Sequence, residues 1–333
     1  MKHANISLFV AHVGCKHRCS FCDQNTITGT LSLPTAADIA EAVMIAQSNK
    51  NYSPETTEIA FFGGSFTAID KEYMTELLDA AYPYVEQGVV KGIRVSTRPD
   101  AISPEILDFV KQKGVTAIEL GAQSMDDEVL QLNKRGHTAK DVELACELIK
   151  KSGIELGLQM MTGLYGSTPE KDIDTARKII ALAPKTVRIY PTVILEGTLL
   201  GLLYKKGEYD TYSLEETTAL CADLLDMFEK ENITVIRLGL HAIEKEKYLA
   251  GPWHPALKEL VDSRRYLKLA LGQLDKGGKY NIYVNPSAIS KMTGQLRSNL
   301  AELSKRGYDC RVLPDKNIKE MQVKAVKTEG NSK

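Results

Sequence analysis

The stretch ISLFVAHVGCKHRCSFC, residues 6–22, joins an apolar run to three closely spaced cysteines. The run at residues 6–11 has the length and apolar content of a buried strand. Cys15, Cys19 and Cys22 follow it in the spacing C-x3-C-x2-C, and they are half of the six cysteines in the chain. A strand that leads directly into a cluster of thiols predicts a ligand site on the first loop of a sheet.

The same rhythm continues to about residue 240, where short apolar runs alternate with longer amphipathic ones. Helical patterns lie between the runs, for example where Ser103 and Pro104 supply an N-cap and a first-turn proline. Predicted strands occupy residues 6–11, 58–62, 92–97, 116–120, 154–160, 186–190 and 234–238. Six or seven βα units in series predict an α/β fold, a partial (β/α)6-type TIM barrel, with functional residues at the carboxyl ends of the strands.

The segment GPWHP, residues 251–255, breaks this rhythm. We expect a barrel domain at residues 1–245, a small α/β C-terminal lobe at 246–326, and a disordered tail at 327–333. Residues 250–333 carry 16 lysines and arginines against 8 acidic residues, whereas the rest of the chain carries 26 against 35. A basic lobe suits an anionic partner such as RNA, although a solvated lysine-rich face gives the same composition.

The chain has 333 residues and is 43% hydrophobic, so it can bury a large core without cross-links. No apolar run approaches the roughly 18 residues that a membrane-spanning helix needs, and the first ten residues do not resemble a signal peptide. We therefore expect a cytoplasmic protein that does not enter a membrane. Thiols stay reduced in that compartment, and clustered cysteines there more often bind metal than form disulfides.

Two metal sites are compatible with the cysteine cluster. A closed tetrahedral zinc site would need a fourth ligand, for which His12 or His17 is available. An iron–sulfur cubane held by three thiolates instead leaves one iron free to bind another group. The remaining cysteines are scattered, and Cys146 and Cys221 fall in helical patterns where a small core residue is the simpler interpretation.

The cysteine motif after a first strand, with Phe21 just before the last cysteine, resembles the radical S-adenosylmethionine (radical SAM) enzymes. The resemblance implies a 4Fe-4S cluster on Cys15, Cys19 and Cys22, whose open iron binds S-adenosyl-L-methionine. It also implies cleavage of that cofactor to a 5'-deoxyadenosyl radical, which abstracts hydrogen from a substrate. An electron donor such as flavodoxin or ferredoxin would supply the reducing electron.

Further residues match cofactor-binding motifs of the family. Gly63, Gly64 and Ser65 resemble its Gly-Gly-Glu/Thr motif, whose backbone contacts the methionyl amino group; an ordinary tight turn is the alternative. In the coproporphyrinogen-oxidase branch, residues that match Gln123 and Arg135 contact the cofactor. Arg135 would pair with the methionyl carboxylate, although a surface arginine at a helix end gives the same pattern.

Three more positions either depart from the pattern of that branch or have a second interpretation. Where that branch places acidic residues for the ribose hydroxyls, this chain has Ser96 and Gln159. Glu119 is either a cofactor residue or a buried hydrogen-bond acceptor. Asp23 and Gln24 follow the last cysteine, so the additional cysteine of the heme-pathway decarboxylases is missing and that activity is disfavoured.

Residues 58–240 resemble the radical SAM core of the Elongator catalytic subunit, which modifies wobble uridines in tRNA. Four ordered motifs carry the likeness: STRPD at 96–100, ELGAQS at 119–124, NKRGHT at 133–138 and RIYPTVILEGTLL at 188–200. That family usually spaces its first two cysteines more widely, has a longer N-terminal extension and ends in an acetyltransferase domain. Only about 90 residues follow the predicted barrel here, so we do not expect chemistry on acetyl-coenzyme A.

Three functions remain open from the sequence. The first is a radical SAM enzyme acting on tRNA through the basic lobe, the second acts on a small molecule or peptide, and the third is a non-enzymatic metal protein. No RNA-binding signature is present, and three lobe tyrosines alternate as core strand residues would: Tyr280, Tyr283 and Tyr308. Residues near the junction could contact substrate or serve only in packing: His241, Trp253 and His254.

Overall fold

The computed structural model describes residues 3–10, 13–15, 18–22, 32–240 and 243–328. Several residues discussed above fall outside these ranges: His12, His17, Asp23, Gln24, His241 and residues 329–333 of the predicted tail.

One parallel sheet of seven strands forms the larger part of the structure. Its strands stand in the order β1-β2-β3-β4-β5-β6-β8, numbered along the chain, and every neighbouring pair is parallel. Their bounds are β1 Ala4–Phe9, β2 Thr57–Phe62, β3 Gly92–Thr97, β4 Val115–Gln123, β5 Glu155–Thr162, β6 Thr186–Pro191 and β8 Thr234–Leu238. This sheet confirms the predicted partial barrel and contains seven of the predicted strands.

Helices connect successive strands, and their ends follow the expected capping chemistry. The Ser103 hydroxyl accepts a hydrogen bond from the Ile106 amide at 3.3 Å, and Pro104 occupies the first turn as predicted. Thr138 and Asp141 form a reciprocal capping box. The helices are α1 Ala36–Gln47, α2 Lys71–Glu86, α3 Pro104–Gln112, α4 Asp127–Leu132, α5 Ala139–Ser152, α6 Pro169–Ala181, α7 Leu199–Lys205 and α8 Leu214–Lys230.

The helices bury one stripe each. Helix α5 buries Val142, Ala145, Cys146 and Ile149, which recur at helical spacing and lie on one face. Cys146 and Cys221 are both fully buried, as expected for small core residues.

Contacts within the chain divide it into two compact units, residues 1–213 with 227–253 and residues 214–226 with 254–333. The first unit also contains a short antiparallel pair that the sequence did not predict, β7 Ile194–Leu195 with β9 Tyr248–Ala250. Trp253 packs beside it against a buried cluster and is a packing residue here.

The second unit contains the predicted C-terminal lobe except for residues 246–253, which belong to the first unit. Its three-stranded sheet has the order β11-β10-β12, with β10 parallel to β11 and antiparallel to β12. The elements are α9 Leu257–Leu271, β10 Gly278–Val284, α10 Ile289–Thr293, α11 Ser298–Lys305, β11 Tyr308–Pro314 and β12 Val323–Lys327. These elements confirm the predicted small α/β lobe. The His254 ring nitrogen Nδ1 accepts a hydrogen bond from the Ala256 amide ahead of α9.

The prediction for the lobe tyrosines was wrong at one position. Tyr280 and Tyr308 meet edge to face in the lobe core, with ring centroids 6.1 Å apart. Tyr283 is three residues after Tyr280 on the same strand, so it points to the opposite face of the sheet.

No helix in the described part of the chain is long and apolar enough to cross a bilayer.

Candidate cofactor site

A cavity of about 230 Å³ lies at the carboxyl ends of strands β1 to β6, within the first unit. Each of these strands, or the loop that follows it, contributes to the wall, as parallel sheets of this kind provide. Ten of the twelve predicted site residues line the cavity: Cys15, Cys19, Cys22, Phe21, Gly63, Gly64, Ser96, Gln123, Arg135 and Gln159. Ser65 and Glu119 do not line it.

None of the three cysteines is in a disulfide, and each is partly exposed at the cavity. The Cys22 amide donates to the Cys19 carbonyl at 3.2 Å, which forms a turn between these two residues. Burial raises the pKa of the Cys15 thiol and the nearby Cys19 adds to the rise, while Arg98 and Arg135 act in the opposite direction. The site therefore supplies positive charge that would favour thiolates once a metal is bound.

Within the described residues, no three or more His, Cys, Asp or Glu side chains converge as ligands of a single metal ion. A closed zinc site requires such convergence on one centre. A cubane does not, because each thiolate binds a different iron of the cluster. The histidines considered for zinc lie outside the described residues.

The glycine pair after β2 holds the cysteine loop against the sheet. Gly63 and Gly64 both have positive φ, 80° and 49°. A Cβ on Gly64 would lie 2.3 Å from the Val13 carbonyl oxygen, so no larger residue fits there. The next residue, Ser65, donates its amide to that same carbonyl at 3.0 Å. Its hydroxyl is bonded to Thr97 at 2.9 Å and is buried, which explains why Ser65 does not reach the cavity.

Arg135 connects β4 to the cysteine loop. Its Nη1 lies 3.0 Å from the Cys19 sulfur, its Nη2 donates to the Gly121 carbonyl at 2.6 Å, and its guanidinium stands 5.9 Å from the Phe21 ring centroid. The side chain is buried, yet Nε has no hydrogen-bond partner. A buried guanidinium with a free donor beside the thiols is suited to bind an anionic group.

Gln123 closes β4 in a strained conformation. Its φ is +65°, and the register between β4 and β5 shifts between Gly121 and Gln123. The side-chain oxygen Oε1 is buried without a hydrogen-bond partner. A Cβ on Gly121 would lie 3.0 Å from the side-chain nitrogen Nε2 of Gln123, so the glycine leaves room for this side chain at the strand end.

Glu119 lies in a buried ionic network and not at the cavity surface. Its carboxylate accepts hydrogen bonds from Arg188 Nε at 2.5 Å, from Arg188 Nη2 at 2.9 Å and from Gln159 Nε2 at 2.9 Å. Arg94 donates from Nη1 to Glu119 Oε1 at 3.5 Å and from Nε to Glu58 Oε2 at 2.6 Å. Of the two possibilities left open by the sequence, this geometry fits the buried hydrogen-bond acceptor.

A sequence profile of the radical SAM superfamily matches residues 10–179, which is more than half of the chain. The chain belongs to the radical SAM superfamily. A second profile, the radical SAM C-terminal domain, matches residues 184–267. The protein is therefore an enzyme of this superfamily, as the cysteine motif predicted.

Two sequence relatives and one solved structure are similar to this radical SAM enzyme. It is 30% identical over 191 residues to the tRNA uridine(34) acetyltransferase of Dehalococcoides mccartyi. The matched segment covers 51% of this chain and 41% of that protein. It is 32% identical over 194 residues to human Elongator complex protein 3, covering 52% and 36%. The chain thus spans less than half the length of either relative.

The solved structure is that of Elp3 from the archaeon Methanocaldococcus infernus with an N-terminal deletion. It has a TM-score of 0.63 and 23% identity, and it covers 80% of this chain and 63% of that one. This likeness shows a shared fold, and the sequence relatives confirm the predicted similarity to the Elongator core.

Radical SAM enzymes use a 4Fe-4S cluster and S-adenosyl-L-methionine, so membership in the family confirms the two expected cofactors. The residues at the cavity fit them. Three cysteines outside any disulfide are present for the cluster, and the unpartnered Arg135 Nε and Gln123 Oε1 suit the carboxylate and the ammonium group of a methionyl moiety.

Among the cavity residues that were not singled out from the sequence, three have charged or phenolic side chains in the family motifs: Arg98, Arg188 and Tyr190. Arg98 donates hydrogen bonds from Nε to Asp100 and from Nη2 to the Arg135 carbonyl, the latter at 2.6 Å. Its Nη1 is buried without a partner. Burial raises the pKa of Tyr190, which is close to Arg188. All three occur in motifs that carried the Elongator resemblance, and this was the only signal that could have found them.

Proposed function

We propose that this enzyme holds a 4Fe-4S cluster on Cys15, Cys19 and Cys22, binds S-adenosyl-L-methionine beside it, and acts on tRNA. The observation that supports the site is that three cysteine side chains line one cavity at the strand ends together with unpartnered buried polar atoms of Arg135 and Gln123. Bound together, the two cofactors supply a carbon-centred radical for hydrogen abstraction.

The chain's own side chains would bind the cofactor by opposite charges. The Arg135 guanidinium donates to the methionyl carboxylate, and the Gln123 oxygen accepts from the methionyl ammonium group. The backbone at Gly63 and Gly64 would contact the methionyl amino group, since Gly64 lets this turn approach the Val13 carbonyl closely. Ser96 and Gln159, which also line the cavity, are proposed to meet the ribose hydroxyls.

The apolar part of the wall would exclude water from the radical. Phe21 and Tyr190 pack against the cluster of Val129, Met161 and Leu164, next to the thiols. A dry, closed cavity prevents quenching of reactive intermediates by solvent.

The proposal that the substrate is tRNA rests on two independent points. A sequence relative is named a tRNA uridine(34) acetyltransferase. The C-terminal region of this chain carries twice as many basic as acidic residues, which suits a polyanion. We further propose that residues 1–245 carry the chemistry, that residues 246–326 serve RNA binding, and that a flavodoxin- or ferredoxin-type protein donates electrons. The cytoplasm, where thiols stay reduced, is the proposed location.

The test is anaerobic. The cluster is reconstituted, S-adenosyl-L-methionine and dithionite are added, and 5'-deoxyadenosine is measured with and without bulk tRNA. We expect cleavage above that of a Cys19→Ala control, with stimulation by tRNA. Transfer of deuterium from labelled tRNA into 5'-deoxyadenosine would identify RNA as the substrate.

Zinc in place of iron in the purified protein, with no cleavage, would contradict the proposed cofactor chemistry. Cleavage that tRNA neither stimulates nor quenches would contradict only the choice of substrate.

A further inference from the structure

The three-stranded sheet of the C-terminal lobe has two faces of different character. Tyr280, Ile282 and Val284 of the central strand β10 point to one face and are buried. Side chains of helices α9, α10 and α11 complete this core, among them Tyr266, Met292 and Leu303. These helices therefore pack on the face that carries Tyr280.

The opposite face, which we call the outer face, is defined by the strand register. Tyr283 of β10 is paired with Leu313 of β11 on one side and with Lys324 of β12 on the other. One step along the sheet, Asn281 stands between Arg311 and Val326 in the same way. Because side chains alternate along each strand, these six residues share one surface.

Among these six residues are apolar side chains, two cations and the amide of Asn281, and the next register pair on the same face is Lys279 with Asp309. Val326 is 40% exposed, Arg311 and Lys324 are exposed, and Tyr283 and Leu313 are partly exposed. A solvent-facing sheet surface ordinarily carries polar side chains, so a tyrosine, a leucine and a valine together call for an explanation.

The cations of the outer face are unpaired. Within the described part of the lobe, neither Arg311 nor Lys324 forms a salt bridge, whereas the lobe's other basic residues include several that do. Those paired residues are Lys258, Arg265, Lys268, Lys291 and Arg306. Free cations beside an accessible aromatic ring match the chemistry of an RNA strand, which offers phosphates and unstacked bases.

We propose that the outer face binds single-stranded RNA, with a base stacked on Tyr283 and phosphates held by Arg311 and Lys324. This inference rests on the proposed function and deepens it, because it assigns a surface to the RNA. The sheet lies after residue 267, where both family matches have ended. The surface therefore lies outside the segments that the two family profiles match.

The test measures binding of a fluorescent tRNA transcript to the full-length protein over a series of salt concentrations. We expect Tyr283→Ala to weaken binding about tenfold through lost stacking, while Tyr283→Phe keeps the ring and stays within about twofold. Arg311→Glu should weaken binding and lower the slope of log affinity against log salt by about one.

Lys305→Glu is the matched control. It makes the same change of charge at an exposed residue of α11, on the face of the sheet that carries Tyr280. We expect its binding to stay within about twofold of the unmodified protein. Circular dichroism and thermal unfolding of each variant show whether the fold is kept.

Two results would overturn the inference. One is unchanged binding by both Tyr283→Ala and Arg311→Glu, and the other is an equal loss in Lys305→Glu, which would indicate general attraction to a basic protein. Cleavage of S-adenosyl-L-methionine by the unmodified protein is measured in parallel. If that protein cleaves the cofactor but binds no tRNA, the substrate proposal fails; if it binds tRNA and the variants bind equally, only the surface assignment fails.

Discussion

The seven-stranded sheet of the barrel and the three-stranded sheet of the lobe differ in how far they bury their polar side chains. Strand β3 is buried at every position, whereas β10 alternates between its buried and its outer face. Inside the barrel a buried polar group ordinarily has a partner in the protein, so the unpartnered Arg135 Nε and Gln123 Oε1 at the cavity are candidates to bind a ligand. On the lobe, water satisfies polar groups, and function must be inferred from their combination. Substitutions in the barrel should therefore have large effects, and those on the lobe smaller ones.

The largest effect is expected at the cysteines. Cys19→Ala should abolish both iron binding and cleavage of S-adenosyl-L-methionine, because each thiolate binds its own iron. Iron and sulfide content, with 5'-deoxyadenosine formation, measure this. Cys146→Ala is the control, since that thiol is buried in α5 away from the cavity. A brown, active Cys19→Ala protein would contradict the assignment.

The next largest effect is expected in the ionic network beneath the cavity. Glu119→Ala should lower the free energy of unfolding by about 3–5 kcal/mol, because it leaves the buried Arg188 without its carboxylate. Urea unfolding measures the loss. Glu143→Ala breaks a pair on the surface of α5 and should leave the unfolding midpoint unchanged. Equal midpoints for both variants would mean that burial does not separate the two regions as we argue.

This network also shows where prediction from the sequence stopped. The strands and the cavity residues followed from the βα rhythm and from ordered motifs. The partners of Glu119 did not, because Arg94, Gln159 and Arg188 come from three other strands and meet it only through the register of the sheet. Arg98 was missed for a similar reason, since the Arg135 carbonyl that it holds is 37 residues away.

A buried histidine should make stability depend on pH. Burial, with Arg135 and Arg98 nearby, lowers the pKa of His137 to about 4. The unfolded chain, with a pKa near 6.5, binds more protons between these values, so stability should fall as pH is lowered from about 6.5 to 4. Asp172 opposes this, because burial raises its pKa to about 6 and its protonation favours the folded state over about pH 6 to 4.

The variant His137→Gln separates the two groups. It should remove about 2–3 kcal/mol of acid destabilisation over that range and leave the contribution of Asp172 in place. Urea unfolding at a series of pH values, compared between the variant and the unmodified protein, measures the difference. Parallel curves at all pH values would show that His137 does not titrate between the two states.

The smallest barrel effect separates cofactor binding from cluster binding. Arg135→Gln should weaken affinity for S-adenosyl-L-methionine by about ten- to a hundredfold, as expected for lost charge-assisted hydrogen bonds, while iron content is kept. Arg98→Gln should give a smaller loss, because Arg98 acts through the Arg135 carbonyl as a positioning residue. Equilibrium dialysis with the reconstituted protein measures both affinities, and Arg98→Lys should restore part of the loss.

The lobe variant Arg311→Glu is the control for that experiment, because it tests whether a change in the lobe affects the cofactor site of the barrel. It removes an exposed arginine of the outer face and should not change affinity for the cofactor, although it weakens binding of tRNA. Loss of iron in Arg135→Gln would show that the contact between Arg135 and Cys19 supports the cluster loop itself. If Arg135 only binds the cofactor, Arg135→Gln keeps its iron and loses affinity for S-adenosyl-L-methionine. The iron content of this variant therefore tests the role assigned to the unpartnered Arg135 Nε.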